Sequence, residues 1–302
     1  MQNNHSWEKQ GNWYKGNLHT HTDNSDGALS IEELIEIYKQ HDYDFLGITD
    51  HNKLTNLDKF KKGGMLLIPG EEITSPGKTE AGQNYHIVVL NPQKEIDLKK
   101  CVSTQAIINE GKMVGGEVII PHPYWSGCTN EELFSLTGYL GIEIYNSLSD
   151  CFVGKGYALT HWDALLNKGR KILGIASDDC HHKLEGKILR DTANAFIMVK
   201  VDNLDVESIM EAVKAGDFYS SNGPEIKNIS IQNDSVIIQT SPVKGINIIA
   251  DTCKGRCLIA EDNDFLTEVI YKLKGNEEYI RIECYDENHR WAWSQPFFND
   301  IV

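Results

Sequence analysis

The stretch "NLHTHTDNSDG" (17–27) sets two imidazoles, His19 and His21, one residue apart, with Asp26 five residues further on. Side chains alternate faces along a strand, so the two histidines would point the same way. Two imidazoles on one face can grip a single metal ion. The same residue types recur at the ends of other short apolar runs. "FLGIT" ends in Asp50-His51, "MLLIP" leads to Glu71-Glu72, and "EVIIP" leads to His122. "GIEIY" carries Glu143 with Asn146 just after it, and "KILGIA" runs into "SDDCHH" (177–182). In α/β barrels the functional groups gather at such C-terminal strand ends. His86 breaks the rule by starting its run, "HIVVL". The turn-rich segment 75–83 before it suggests a hairpin centred on residue 79, which would set Glu72 opposite His86.

The elements that would position these groups are legible from periodicity. "SIEELIEIYKQHDYD" has apolar residues at Ile31, Leu34, Ile35 and Tyr38, and Ser30 with Glu33 makes a capping box. "YALTHWDALLNKG" and "DVESIMEAVKAG" are further helices stopped by glycine. Strands alternating with helices predict an α/β fold around a parallel sheet, open or closed into a barrel. Near "YSSNGPEI" (219–226) the pattern changes to short β-like runs divided by Asn, Asp and Gly turns. We therefore expect one domain over 1–222 and a small all-β, sandwich-like domain over 223–302. No internal repeat or low-complexity tract interrupts either.

The bulk numbers bound the function. Within 302 residues, 29 Lys+Arg face 44 Asp+Glu, a net charge of −15 that disfavours a nucleic-acid coat. A negatively charged substrate stays possible where metal ions supply local positive charge. Seven scattered cysteines, odd in number and without C-x-x-C spacing, read as reduced thiols rather than a disulfide framework. "MQNNHSWEKQGNW" has no apolar signal-peptide core, and no apolar run reaches the ~18 residues of a membrane span. The expected location is cytoplasmic, with no membrane partner.

With these runs in view, "LHTHTDNSDG", "ITDHN", "PGEEIT", "HIVVL", "IPHP" and "SDDCHH" come in the order of the PHP (polymerase and histidinol phosphatase) family, which the segment 14–222 resembles. The tail, with "RIECYDENHRWAWSQPFF", is similar to the C-terminal segment of some stand-alone members. The resemblance implies a distorted (β/α)7 barrel, and one of the eight strand-like runs is then expected outside it. It also implies two to three divalent metal ions. His19 and His21 match ligands of the first, Glu72 the carboxylate bridging two metals, and His86 and His122 ligands of the second. Asp26 and His51 match ligands of the third, and the final D-x-H corresponds to Asp179 on the first metal and His181 on the third. The extra acid in "SDDCHH" leaves Asp178 as an alternative, though spacing favours Asp179; likewise G-x-E spacing and the hairpin register favour Glu72 over Glu71.

Six histidines and three carboxylates form a mixed N/O set suited to Zn²⁺, Mn²⁺ or Fe²⁺. Three such ions would leave a local charge of about +3 against the three carboxylates, attractive to phosphate. The resemblance thus implies a phosphoesterase, expected to be a phosphatase on a small metabolite or nucleotide, using hydroxide made available at neutral pH by the bound cations. Glu72, Asp179 and His181 are the catalytic candidates. Alternatives are an exonuclease on short oligonucleotides, an amidohydrolase and a non-catalytic metal-binding module. Asn146 and Arg190 are candidate substrate contacts, Arg190 together with Lys183 and Lys187. Glu143 shares the substrate-side reading of Asn146, against a structural hydrogen bond. Asp50 is read as a further ligand or as an orienting acid. His161 reads as packing or surface, His5 and His41 lack companions, and Cys180 is not expected to coordinate. The aromatic residues of "WAWSQPFF" are expected in the core of the small domain.

Overall fold

The computed structural model describes residues 7, 9–60, 64–182, 184–185, 188–189, 191–232 and 234–299. Its elements are β1 (Asn12–Asn17), α1 (Ile31–Gln40), β2 (Phe45–Ile48), β3 (Leu66–Lys78), β4 (Asn84–Leu90), α2 (Thr104–Met113), β5 (Glu117–Ile120), α3 (Asn130–Ser135) and β6 (Gly141–Asn146). There follow α4 (Ser147–Val153), α5 (Leu159–Asn167), β7 (Leu173–Ser177), the hairpin β8 (Leu184–Glu185) and β9 (Ile188–Leu189), β10 (Phe196–Val201), α6 (Val206–Ala215) and β11 (Phe218–Ser221). The rest is strand: β12 (Ile226–Gln232), β13 (Ser235–Val243), β14 (Gly245–Ala250), β15 (Gly255–Ile259), β16 (Leu266–Lys272), β17 (Tyr279–Tyr285), β18 (Trp291–Ser294) and β19 (Phe297–Phe298).

Local signals act where the sequence put them. The Ser30–Glu33 capping box forms at the start of α1, whose Ile31, Leu34, Ile35 and Tyr38 are buried. Asp205 caps α6, and Gly216 ends it in the left-handed conformation that glycine adopts without a Cβ clash. β2, β5 and β6 are buried at every position, as strands covered on both faces must be.

β1, β2 and the first part of β3 run parallel, as do β5, β6 and β7. Between these blocks β3 turns antiparallel to β4, and β4 to β5, so strict helix–strand alternation fails there. β3 changes partner at Gly70, where a Cβ would stand 2.9 Å from the Thr49 methyl. The eighth strand-like run, now β10, lies antiparallel beside β1. Leu18 just after β1 and Phe45, Ile68, Val88, Ile119, Ile175 and Ile197 from strands all along this sheet meet in one interior cluster, which α6 joins through Ile209, Met210 and Val213. The closed (β/α)7 barrel is met only in part. Among the described residues no strand ladder returns from β7 to β10. The Ser220 hydroxyl of β11 bridges that edge, accepting from Ala176 N and donating to Gly174 O.

The C-terminal strands form two sheets. One is β12–β13–β16; the other, β15–β14–β17–β18, continues the main sheet through β11. Alternate residues of both, among them Ile229, Ile238, Ile248, Ile282 and Phe297, fill one cluster. The expectation for "WAWSQPFF" needs correction: Phe297 lies in that cluster, but Trp293 packs with Trp162 and Tyr145 of the main body. Trp293 stacks on Tyr145 with ring centres 5.9 Å apart, so this strand seals the tail against the main body. No helix among the described residues is long and apolar enough to cross a membrane.

Candidate metal centre

The loop after β1, the ends of β2, β5 and β7, and the β3–β4 hairpin converge on one buried cluster. Three groups of ligand-type side chains lie within reach of a shared ion: His19, His21, Glu72 and Asp179; His21, Asp26, His51 and His181; and His51, Glu72 and His86.

In the first group His21 Nε2 stands 3.1 Å from His19 Nε2, 3.2 Å from Glu72 Oε2 and 3.2 Å from Asp179 Oδ1. His19 Nε2 is 3.4 Å from Glu72 Oε2 and 3.3 Å from Asp179 Oδ1. Four donors about 2.0–2.1 Å from one tetrahedral ion stand about 3.3 Å apart, so these edges fit such an ion. Two facing ring nitrogens cannot both point lone pairs into this space without a proton or cation between them. Buried atoms with no hydrogen-bond partner sit here as well: His21 Nδ1, His51 Nδ1 and Asp179 Oδ1. An unpaired buried polar atom is costly, and a cation removes the cost at the lone-pair-bearing atoms.

Glu72 is the hub. Its Oε2 faces His19, His21 and His51, while its Oε1 lies 2.9 Å from His86 Nδ1 and 3.2 Å from His122 Nε2. The hairpin register is two residues off the expectation. Thr74 pairs with His86 and Glu72 with Val88, so Glu72 and His86 are same-face diagonal neighbours, still in contact. A bulge between Thr74 and Lys78 separates this register from that of the turn. His122 touches the hub but stands outside the three groups, and His51 takes its expected place beside His86. A neutral imidazole has one lone pair, so His21 can serve only one of its two groups.

The second group gathers around Asp26, whose Oδ2 is 3.2 Å from His181 Nε2 and 3.9 Å from His51 Nε2. Gly27 allows this return of the loop, since a Cβ there would collide with the His21 carbonyl. Asp50 is an organiser: it accepts from Thr22 N and from the hydroxyls of Thr22, Ser25 and Thr55, fixing the loop that carries Asp26.

Both ambiguous acid pairs resolve in space. Glu71 turns away and accepts from Ile96 N, burial raising its carboxyl to about 7. Asp178 accepts from Tyr38 OH and the amides of Ala193, Asn194 and Ala195, while Asp179 faces the histidines. Asp179 (φ 53°) and His122 (φ 31°) adopt left-handed backbone, which non-glycine residues take up at a cost.

Glu143 holds the first group from behind. Its Oε1 is 2.7 Å from His19 Nδ1, which must carry the proton because a carboxylate only accepts; His19 Nε2 is thereby left to the cluster. Ser177 Oγ donates to the same oxygen, while His122 N and Asn146 Nδ2 donate to Oε2. The substrate reading of Asn146 is therefore corrected. The residue is fully buried, its amide donates to Glu143 and Asp179, and its carbonyl accepts from Ser149 N. His181 is fixed similarly, its Nδ1–H donating to the Asp179 carbonyl at 2.9 Å.

Burial opposes a charge on His19, but Asp179, Glu143 and Glu72 outweigh it and raise its pKa well above the ordinary value. His21, equally buried, is raised to about 9 by Asp179 and Glu72. The same pairings overcome the burial of Glu72 and Asp179 and hold both carboxyls well below their usual range. His51 is lowered by burial, and Glu72 raises His86 against burial.

The other candidates lie elsewhere. His161 reaches the Cys128 carbonyl, Cys180 contacts Thr192 Oγ1, and His41 is exposed away from the cluster. Arg190, Lys183, Lys187 and His5 fall outside the described residues. The cleft beside the cluster, about 340 Å³, is lined further by Trp125, Leu148, Ser149, Phe152 and Val153. Sequence reading missed these, although the i, i+4 pair Leu148–Phe152 was a signal.

Residues 17–103 match the family model described as PHP domain. The match takes in His19, His21, Asp26, His51, Glu72 and His86 and stops before His122, Asp179 and His181. No curated protein matches the chain. Among solved structures, a two-domain Bacteroides vulgatus protein described as containing a PHP-like metal-dependent phosphoesterase, there by prediction, is 16% identical with a TM-score of 0.49, covering 96% of this chain and 95% of that one. A candidate metal-dependent phosphoesterase of Bifidobacterium adolescentis is 14% identical (TM-score 0.47; 66% of this chain, 95% of that). A Chromobacterium violaceum amidohydrolase with bound sulfate and no metal is 14% identical (TM-score 0.45; 67% and 96%). At these values they are loose likenesses.

Proposed function

We propose that the protein is a metal-dependent hydrolase of phosphate esters, a phosphatase acting on a small phosphorylated metabolite or nucleotide. The observation that carries this reading is the Glu72-centred cluster with its buried, partnerless His21 Nδ1, His51 Nδ1 and Asp179 Oδ1. Two to three ions of Zn²⁺, Mn²⁺ or Fe²⁺ suit the N/O donors and would supply Lewis-acid charge and an activated water. The chain's own residues do the positioning. Glu72 spans two groups, Glu143 aims the His19 lone pair, and the Asp179 carbonyl aims that of His181. Asp26, half exposed, stands at the mouth.

A small substrate is supported by size and charge. A cleft of about 340 Å³ is at the lower end of ligand sites. No Lys or Arg is among its described lining residues, whereas an oligonucleotide needs a basic track. His19→Ala with His21→Ala should abolish hydrolysis of a generic aryl phosphate while circular dichroism stays native. Unchanged turnover in a preparation of verified metal content would reject the reading.

A further inference from the structure

Part of the cleft lining is apolar, and it is built rather than incidental. α4 places Leu148 and Phe152 four residues apart, with Val153 adjoining, so these side chains share the helix flank that lines the cleft. Phe152 is 39% and Val153 56% exposed, an arrangement that costs hydration free energy unless something covers it. Trp125 adds an aromatic edge beside the ligand histidines, its ring centre 4.9 Å from that of His122 and 6.0 Å from that of His86.

The wall is rigidly hung from the metal-side residues. Asn146, which binds Glu143 and Asp179, also caps α4 through Ser149 N, and Leu148 N donates to the Asp178 carbonyl. Gly154 stops the helix in the left-handed conformation directly after Val153. The cleft lining thus combines cation-binding donors with a fixed apolar surface. No Lys or Arg among the described lining residues could grip a second phosphate.

We propose that Trp125, Leu148, Phe152 and Val153 form the leaving-group subsite, and that the substrate is a phosphate monoester whose alcohol portion is apolar and planar. This rests on the phosphatase reading for its chemistry, but its test does not depend on turnover. Calorimetric titration of the metal-loaded full chain with phenylphosphonate and methylphosphonate should show the phenyl compound binding about tenfold tighter or more. Phe152→Ser with Val153→Ser, both exposed positions, should erase that preference while leaving metal content and methylphosphonate affinity unchanged. Equal affinity of the wild type for the two phosphonates, no binding of either, or a preference that survives the double substitution would overturn the subsite. Phenyl phosphate left unhydrolysed while the phenylphosphonate preference holds would instead sink the phosphatase reading and leave the subsite standing.

Discussion

Two of the places where this molecule buries charge differ in whether the charge is finished. On β17, Arg281 is 1% exposed, and its guanidinium donates to both oxygens of Asp163 at 2.8 and 2.9 Å, pairs with Glu283 and lies 4.7 Å from the Trp162 ring centre. The cationic group faces two acids and an aromatic ring, and nothing from outside is needed. Around Glu72 the same ingredients are assembled with lone pairs pointed at one another and buried atoms unpartnered. A closed ion cluster ties tail to body; an open one could hold cations. The difference in satisfaction, more than the number of charges, separates a structural site from a chemical one.

That contrast can be broken by experiment. Arg281→Ala leaves the buried Glu283 and the partly exposed Asp163 without their partner and should cost about 3 kcal/mol in urea unfolding, with metal content unchanged. A loss under about 1 kcal/mol, or a loss of metal, would mean the two clusters are not the separate kinds described. Glu143→Ala should weaken metal affinity by about 10–100-fold through His19, and Glu143→Gln should restore part of it. If affinity stays at the wild-type value, Glu143 does not position His19.

The smallest effect is in pH. In metal-free protein the His21 pKa, raised to about 9, contributes stability that is complete below the ordinary histidine value and is lost as pH rises through about 9. Thermal unfolding of the chelated protein should therefore show its midpoint falling between pH 7 and 10. Cations replace that proton, so the metal-loaded protein should lack this decline. Identical profiles for the two forms would contradict the assignment.

Much of the centre was legible because its residues sit beside recognisable chain signals. His19-x-His21 needs only strand alternation, and the caps of α1 and α6 need only neighbours three residues away. What escaped depends on distant partners. Glu143 meets a histidine 124 positions earlier, and Trp293 leaves the cluster of the C-terminal strands to stack on Tyr145. The choice between Asp178 and Asp179 turns on which of two adjacent acids the Ala193–Ala195 amides claim. The hairpin register slipped because sequence symmetry does not reveal a bulge.

The most direct test is elemental analysis of the purified chain and of its His19→Ala, His21→Ala form after equilibration with Zn²⁺, Mn²⁺ or Fe²⁺. The account predicts about two to three tightly held ions per chain in the wild type and a clear loss of at least one in the double variant. A folded wild type that takes up none of these cations, or a variant that holds as many, would contradict it.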